Sequence, residues 1–468
     1  MTSSGGGSLV LANHAEYNAQ CMQTRFDTNE VKVWYEGGAE LGDHALFWAR
    51  GEALVIVSEE IHPRLLEDVR RFFGTKAIDT VRPEGDAASL SDRVGGDRAV
   101  SEQVRRWLRT VDRPDLLAWG LTPPLAAFLR ARAQEGVEVR TPGIPAIDAL
   151  WVVQSLDSKP GFRLLAEELS RTHTEIHVPE GFILPDLDVA LSAAEDHFLR
   201  AGQSVVIKAA RGTGGYSTMI ATPFEQPAAL RRIRALARFD NFWRVGSVVV
   251  ERFVAGPDGA TPTAYTVDAS VGADGSVLVE CLGRMLIKAG KRYDGAVIGK
   301  GAVEPELATQ LRQVTDVFGR ALAERGFTGL FDVDFVVDAE GRAWVCEMNV
   351  RRASPSHLVA IAHQAFGLSW ATDGAVFGRD YLYLRGSLQL TYDDLRRIAD
   401  DFRHQSPNTV DLLITQASRS LKRRSPYFGY ALLGADSWIC AEEAARFEKF
   451  VYSSLGLNIA VLDNRARV

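Results

Sequence analysis

The sequence predicts a mixed α/β and α+β protein built in three units, residues 1–150, 151–376 and 377–468. Three observations carry that expectation. From residue 9 to residue 141 short apolar strands alternate with helical stretches, which implies a mostly parallel sheet. Residues 330–349 read as two strands joined by a turn at Ala339-Glu340-Gly341-Arg342, with apolar and polar side chains in alternation. After about Gly378 the pattern changes to a helix (391–402), a strand (429–435) and a second helix (441–455), a small α+β module.

In the first unit the strands are 9–13, 53–57, 115–119 and 137–141, and the helices are 63–74 and 125–136. Thr122 ahead of Pro123 and Pro124 is a helix N-cap followed by proline in the first turn. Residues 82–98, charged and glycine-containing, read as a surface loop. No G-x-G-x-x-G follows a strand, so a dinucleotide site lacks support.

The second unit opens with Ser155–Pro160 and a helix running to Ser170, capped by Asp157 or Ser158. Lys159 sits there, where helix-end amides already favour an anion. A buried strand, 204–209, ends near Lys208 and leads into Arg211-Gly212-Thr213-Gly214-Gly215-Tyr216-Ser217 and the strand 218–222. A glycine-rich turn of this kind is either a plain hairpin turn or a nest of backbone N–H groups for an anion. Lys208 just before it favours phosphate. The G-x-x-x-x-G-K-[ST] loop is absent. Glu251 interrupts the apolar strand 247–254 and needs a partner, either an adenine amino group or a structural Arg or Lys, because burying a lone carboxylate is costly.

The hairpin carries the densest chemistry. Phe331, Val333, Phe335 and Val337 face one way, with Trp344, Cys346 and Met348; Asp332, Asp334, Glu347, Asn349 and Arg351 face the other. A turn centred on Glu340-Gly341 sets Asp334 opposite Glu347 and Asp332 opposite Asn349, with Cβ atoms about 4.5–5.5 Å apart. Like charges so placed repel, whereas carboxylates with an amide oxygen are hard ligands suited to Mg²⁺. A solvated outer sheet face is the alternative, and a slip of one residue breaks the pairing. His357, close behind, reads first as an ordinary structural histidine and second as a substrate contact.

Bulk properties exclude several classes. A net charge of −7 gives no general attraction to nucleic acid or anionic membrane. The one basic run, Arg419–Arg424, reads as a solvated loop or helix end. Cys21, Cys281, Cys346 and Cys440 lie far apart without a C-x-x-C pair, which argues against zinc and disulfide frameworks and suits a reducing cytoplasm. No apolar run approaches the roughly 18 residues of a membrane span, and MTSSGGGS lacks the features of a signal peptide. Neither G-x-S-x-G nor H-E-x-x-H occurs.

Taken in order, Lys159, Lys208 with its glycine loop, Glu251, and the Asp334/Glu347/Asn349 hairpin resemble the ATP-grasp superfamily over about residues 150–375, most specifically in FDVDFVVDAEGRAWVCEMNVRRAS. Residues 1–150 resemble the Rossmann-like domain that precedes the ATP-grasp fold, and the C-terminal module resembles the small domain that ends the peptide ligases of pheganomycin biosynthesis. The resemblance implies that Lys159 and Lys208 contact ATP phosphates and that Gly212, Thr213, Gly214, Gly215, Tyr216 and Ser217 close over them. It implies that Glu251, with the backbone of Arg252 and Val254, holds the adenine edge. Asp334, Glu347 and Asn349 would hold two Mg²⁺ ions, with Mn²⁺ as a substitute and Glu347 bridging. Arg351 would neutralise an acyl phosphate or a substrate carboxylate. Two departures stand out. Ala264 occupies the place of a ribose-binding Glu. Asp332 stands where D-alanine ligases carry an Arg, which leaves oxyanion stabilisation to Arg351, Arg284 or Lys288.

The implied reaction joins a small-molecule carboxylate to an amine or peptide through an acyl phosphate, releasing ADP and phosphate, in natural-product biosynthesis. A carboxylase or kinase-like enzyme with a non-amine acceptor, and a non-catalytic nucleotide-binding protein, are the alternatives. The first unit serves either substrate binding or a homodimer interface.

Overall fold

Four short strands, β1 (Ser8–Leu11), β2 (Ala53–Ile56), β3 (Ile78–Val81) and β4 (Asp115–Ala118), form a parallel sheet in the order β3-β2-β1-β4. β1 and β2 are buried along their whole length, as strands covered on both faces must be. The computed structural model describes residues 6–20, 35–75, 77–85, 89–212, 214–238, 241–259, 261–288, 290–384, 390–405 and 410–457. Cys21 and Thr213 lie outside these.

Two expectations for this unit are corrected. Residues 137–141 form no strand; Arg140 makes only an isolated bridge to Asp115. The loop expected at 82–98 contains the helix Leu90–Gly96, and a second helix, Arg98–Thr110, follows directly. Ser89 and Asp97 cap them through their side chains. Val100, Val104 and Leu108, spaced for one helical face, are buried against β1 and β4. β3 escaped the sequence reading because Asp79 and Thr80 break its apolar run on an edge strand.

The second sheet is antiparallel, with β5 (Gly181–Leu184), β6 (Val205–Ala209), β7 (Thr218–Ala221) and β8 (Val248–Arg252) in the order β5-β8-β6-β7. The third contains β9 (Thr263–Val271), β10 (Val277–Lys288), β11 (Arg292–Gly299), β12 (Gly329–Val337), β13 (Ala343–Asn349), β14 (Ala375–Tyr383), β15 (Asp411–Gln416) and β16 (Tyr427–Gly434), in the order β13-β12-β9-β10-β11-β14-β16-β15. The C-terminal strands therefore extend the sheet that carries the hairpin. β11 and β14 approach closely at Gly295, where an added Cβ would lie 2.1 Å from the Gly378 carbonyl oxygen. The helix Pro305–Glu324 covers one face of this sheet with Leu311, Val314, Phe318 and Leu322.

The first unit is locked to the third sheet. Arg352 donates its backbone N–H to Trp119 and its Nε–H to Ala118, while its guanidinium lies 4.8 Å from the Trp48 ring centre. Buried Asp43 accepts from the backbone of Ala417 and Ser418. The basic run is bound into this junction: Arg419 pairs with Glu59 at 2.6 Å, and Arg423 with Glu40. Among the described residues no helix is long and apolar enough to cross a membrane.

Candidate active site

β12 and β13 pair with Asp332 opposite Asn349 and Asp334 opposite Glu347, the register the alternation predicts. Beyond Asp334 the register shifts, so that Phe335 faces Val345 and Cys346 is the extra residue of a bulge. This corrects the expected apolar face. Phe335, Val345 and Met348 enter the core, whereas Cys346 lines the cleft beside Val336. The half-buried Trp344 donates its indole N–H to Asp338.

The acidic face is denser than the sequence reading supposed. Asp268 on β9 lies next to Asp332 across the strand pair, and both are buried. Asp332 accepts from the Asn349 backbone N–H and from its Nδ2, at 3.1 and 2.7 Å. Burial, with repulsion from Asp332 and Glu347, raises the Asp334 carboxyl well above its usual range. Burial also lifts Asp332 to about 7. Burial alone would raise Glu347 too, but Lys159, Lys208 and Arg351 outweigh it and hold the group low. A divalent cation would relieve this crowding, and Asp334, Glu347 and the Asn349 amide oxygen are the hard oxygen donors it needs.

Two lysines reach the face from other elements. Lys159 begins the helix Lys159–Ser170, capped by Ser158, and its Nζ lies 2.9 Å from Glu347 Oε1. Lys208, at the end of β6, donates to the Cys346 carbonyl at 3.0 Å and pairs with Glu251 at 2.5 Å. Glu251 is 5 % exposed and also accepts from Arg163 at 3.1 Å. Of the two partners open to it from sequence, the basic one is in place, and Arg163 was missed because nothing in its own helix marks it out.

These groups share a cavity of about 220 Å³ bounded by the second and third sheets. Gly212, Gly214, Gly215, Arg252, Val254 and Ala264 line it, with Val206, Ile220, Met285 and Ile287 forming an apolar wall. At Gly215, φ is +79° and a Cβ would sit 1.8 Å from the Lys291 carbonyl oxygen, so the loop packs against β11's approach only as glycine. Tyr216 is 46% exposed and accepts from Arg292, and Ser217 is buried with φ of +60°; neither lines the cavity.

Arg351 stands at the opposite end. It donates to Asn349 Oδ1 at 2.8 Å and lies over Trp119 and Tyr17, 4.8 and 5.6 Å from their ring centres. Tyr17 donates to Asp157, which also accepts from the Val350 backbone. The first unit thus supplies the aromatic seat of Arg351, a relationship that no local motif reveals. The other two residues expected to stabilise an oxyanion are elsewhere. Arg284 occupies the face of β10 opposite Met285, beside Tyr265, and Lys288 is exposed over Tyr383. The side chains of β10 alternate faces, and the cleft receives Met285 and Ile287 instead. His357 is buried, with Nδ1 3.0 Å from the Ser354 carbonyl, and does not line the cavity.

No protein-family model matches the chain. Among curated proteins, an L-propargylglycine–L-glutamate ligase of Streptantibioticus cattleyicolor is 30% identical over 107 residues, 23% of this chain. That match covers 21% of the relative's own length. Among solved structures, a biotin carboxylase–β-γ-ATP complex from Campylobacter jejuni superposes with a TM-score of 0.54 at 12% identity, covering 98% of this chain and 97% of the other. An N5-carboxyaminoimidazole synthetase from Staphylococcus aureus, complexed with ADP, gives 0.51 at 11% identity, with 95% and 97% covered.

Proposed function

We propose that this chain, which has the ATP-grasp fold, is an ATP-dependent carboxylate–amine ligase that forms an amide bond, joining an amino acid or derivative to an amino-acid or peptide amine in natural-product biosynthesis. One observation carries the reading: Asp334 and Glu347 stand directly opposed at a cavity that also receives Lys159 and Lys208. The partial likeness to a ligase named for joining two amino acids supports it.

Asp334, Glu347 and Asn349 would hold Mg²⁺, which supplies charge neutralisation for the phosphates when bound. Lys159 and Lys208 would contact the β- and γ-phosphates, with Gly212, Gly214 and Gly215, which line the same cavity, beside them. The apolar wall of Val206, Ile220, Met285 and Ile287 takes the adenine, with Glu251, Arg252 and Val254 along its edge. A substrate carboxylate oxygen attacks the γ-phosphorus; the bond to ADP breaks and an acyl phosphate forms. An amine nitrogen then attacks the acyl carbon, the phosphate leaves, and the nitrogen gives up a proton. Phosphoryl transfer of this kind depends on positioning and charge more than on a protein nucleophile. Arg351, seated over Trp119 and Tyr17, presents a guanidinium suited to carboxylate or acyl phosphate.

The test is ADP release from Mg²⁺·ATP across a panel of amino acids, each with and without a second amino acid or short peptide, with the product identified by mass. Amine-dependent ADP release with a dehydrative mass gain is expected, and Glu347→Gln should abolish it while the chain stays folded. Release that depends on bicarbonate instead would assign the carboxylase reading. A phosphorylated product without an amide would assign the kinase-like one.

A further inference from the structure

Beside the nucleotide cavity lies a smaller annex of about 30 Å³, between the first unit and the glycine loop. Lys159, Gly212, Glu347, Asn349 and Arg351 border both spaces, so the annex meets the cavity at the magnesium face. The residues of the apolar wall do not border it. Apart from Ala210, the rest of its lining is polar and includes Tyr17 of the first unit, Asp157 and Arg211. We infer, resting on the ligase reading above, that the annex selects a dicarboxylic amino acid as the acid to be activated: Arg351 takes the reacting carboxylate, Arg211 the second carboxylate and Asp157 the ammonium.

Charge carries the assignment. Lys159 and Glu347 pair at 2.9 Å and offset each other. Arg351, Arg211 and Asp157 remain, two cations and one anion. A dicarboxylic amino acid is their mirror image, two carboxylates and one ammonium, and complementary charge is what lets a site tell partners apart. The three side chains gather around one point. Asp157 accepts from the Tyr17 hydroxyl at 2.8 Å and from the Val350 backbone at 3.0 Å, which leaves a further lone pair on each carboxylate oxygen. Half-buried Arg211 donates to the main-chain carbonyl of the same Asp157 at 3.1 Å and to that of Gln154, so its guanidinium is anchored at the annex. Among the described residues Arg351 bonds to neutral oxygens, Asn349 Oδ1 at 2.8 Å and the Arg352 carbonyl at 3.0 Å, and makes no ion pair. A guanidinium kept in this way suits a two-pronged contact with a carboxylate. Gly120 lets the first unit close on the group, for a Cβ there would lie 2.5 Å from the Tyr17 ring and 3.1 Å from Arg351 Cβ. Size agrees: about 30 Å³ holds about two water-sized groups, which admits a charged head group and no bulky side chain.

The full-length protein, in Mg²⁺ and a non-hydrolysable ATP analogue, is titrated by calorimetry with L-glutamate, L-aspartate, their amides L-glutamine and L-asparagine, and glutarate and succinate, which lack the ammonium. One of the two dicarboxylic amino acids should bind at least about tenfold more tightly than its amide and than its amine-free counterpart. Arg211→Gln should erase the advantage over the amide, whereas Arg211→Lys, which keeps the charge, should retain a preference for the acid. Asp157→Asn should erase the advantage over the amine-free acid. ADP release and product mass are read in parallel with the same acids and a panel of amines. Selective dicarboxylate binding without an amide product would count against the ligase reading and for the annex. Amide formation that favours neutral amino acids would do the reverse. Equal binding of acid and amide by the unaltered protein, or a preference unchanged in folded Arg211→Gln, would overturn the assignment.

Discussion

Lys159 and Glu347, 188 positions apart in the chain, meet at 2.9 Å in the cleft, and their pairing holds a half-buried carboxylate ionised among three others. Lys159→Met removes the nearest cation from Glu347 and, on the proposed function, from the phosphates. ADP formation should fall by about 10²-fold or more, on the scale of a lost preorganised charge. Thermal unfolding should move by only a few degrees, because the Met side chain fills much of the same volume.

The proposed function puts Arg351 at the acyl end. Arg351→Ala should lower kcat by about 10²–10³-fold while ATP affinity, read by isothermal titration, changes little. Equal losses in both would move Arg351 out of the substrate half of the cleft.

Glu251 is bound to both Arg163 and Lys208, and its removal leaves Lys208, buried, without a carboxylate partner, while Arg163 keeps Glu167. Glu251→Ala should destabilise the chain by about 3–5 kcal/mol, measured by chemical denaturation. Glu251→Gln, which still accepts from one partner, should cost clearly less.

Gly215→Ala forces a methyl group against the Lys291 carbonyl in a left-handed turn. The loop must shift, and KM for ATP should rise about tenfold or more, a cost of the size expected for a strained backbone residue. Circular dichroism should be unchanged.

His14 is buried against Trp119 and held neutral: burial, then Arg351 and Arg352, depress its pKa well below 6.5. The unfolded chain therefore binds a proton that the folded chain refuses. The sign is that stability is retained above pH 6.5 and lost as pH falls below it, with a slope up to about 1.4 kcal/mol per pH unit. His14→Gln should flatten that acid limb in a denaturation series from pH 7.5 to pH 5.

The hairpin was legible because two-residue alternation and a tight turn set register locally, so Asp334 and Glu347 could be paired without coordinates. The bulge at Cys346 was not, since one extra residue leaves no mark in an apolar run. Lys159, Lys208 and Glu251 were legible as anomalies, a cation at a helix start and charges in apolar strands. Their partners were not, because Arg163, Asp268 and Tyr17 look ordinary in their own segments and gain meaning only from contacts across the chain. The helices 90–96 and 98–110 were hidden by charged residues that cover their outer faces, while the apolar side chains that bury them are few and widely spaced. Arg284 and Lys288 were placed on charge alone, where strand pleating decides which side faces the cleft.

Residues 375–434 continue the hairpin's own sheet through the β11–β14 pair, and this limits how the protein can be cut. A chain ending near residue 377 would leave β11 with an open backbone edge, which invites pairing with other molecules. Recombining the tail with that of a relative would succeed only if the incoming strand keeps a glycine at position 378, where a Cβ would lie 2.4 Å from the Leu358 side chain. The C-terminal segment is best handled as a structural half of the large sheet, to be exchanged with it and never apart from it.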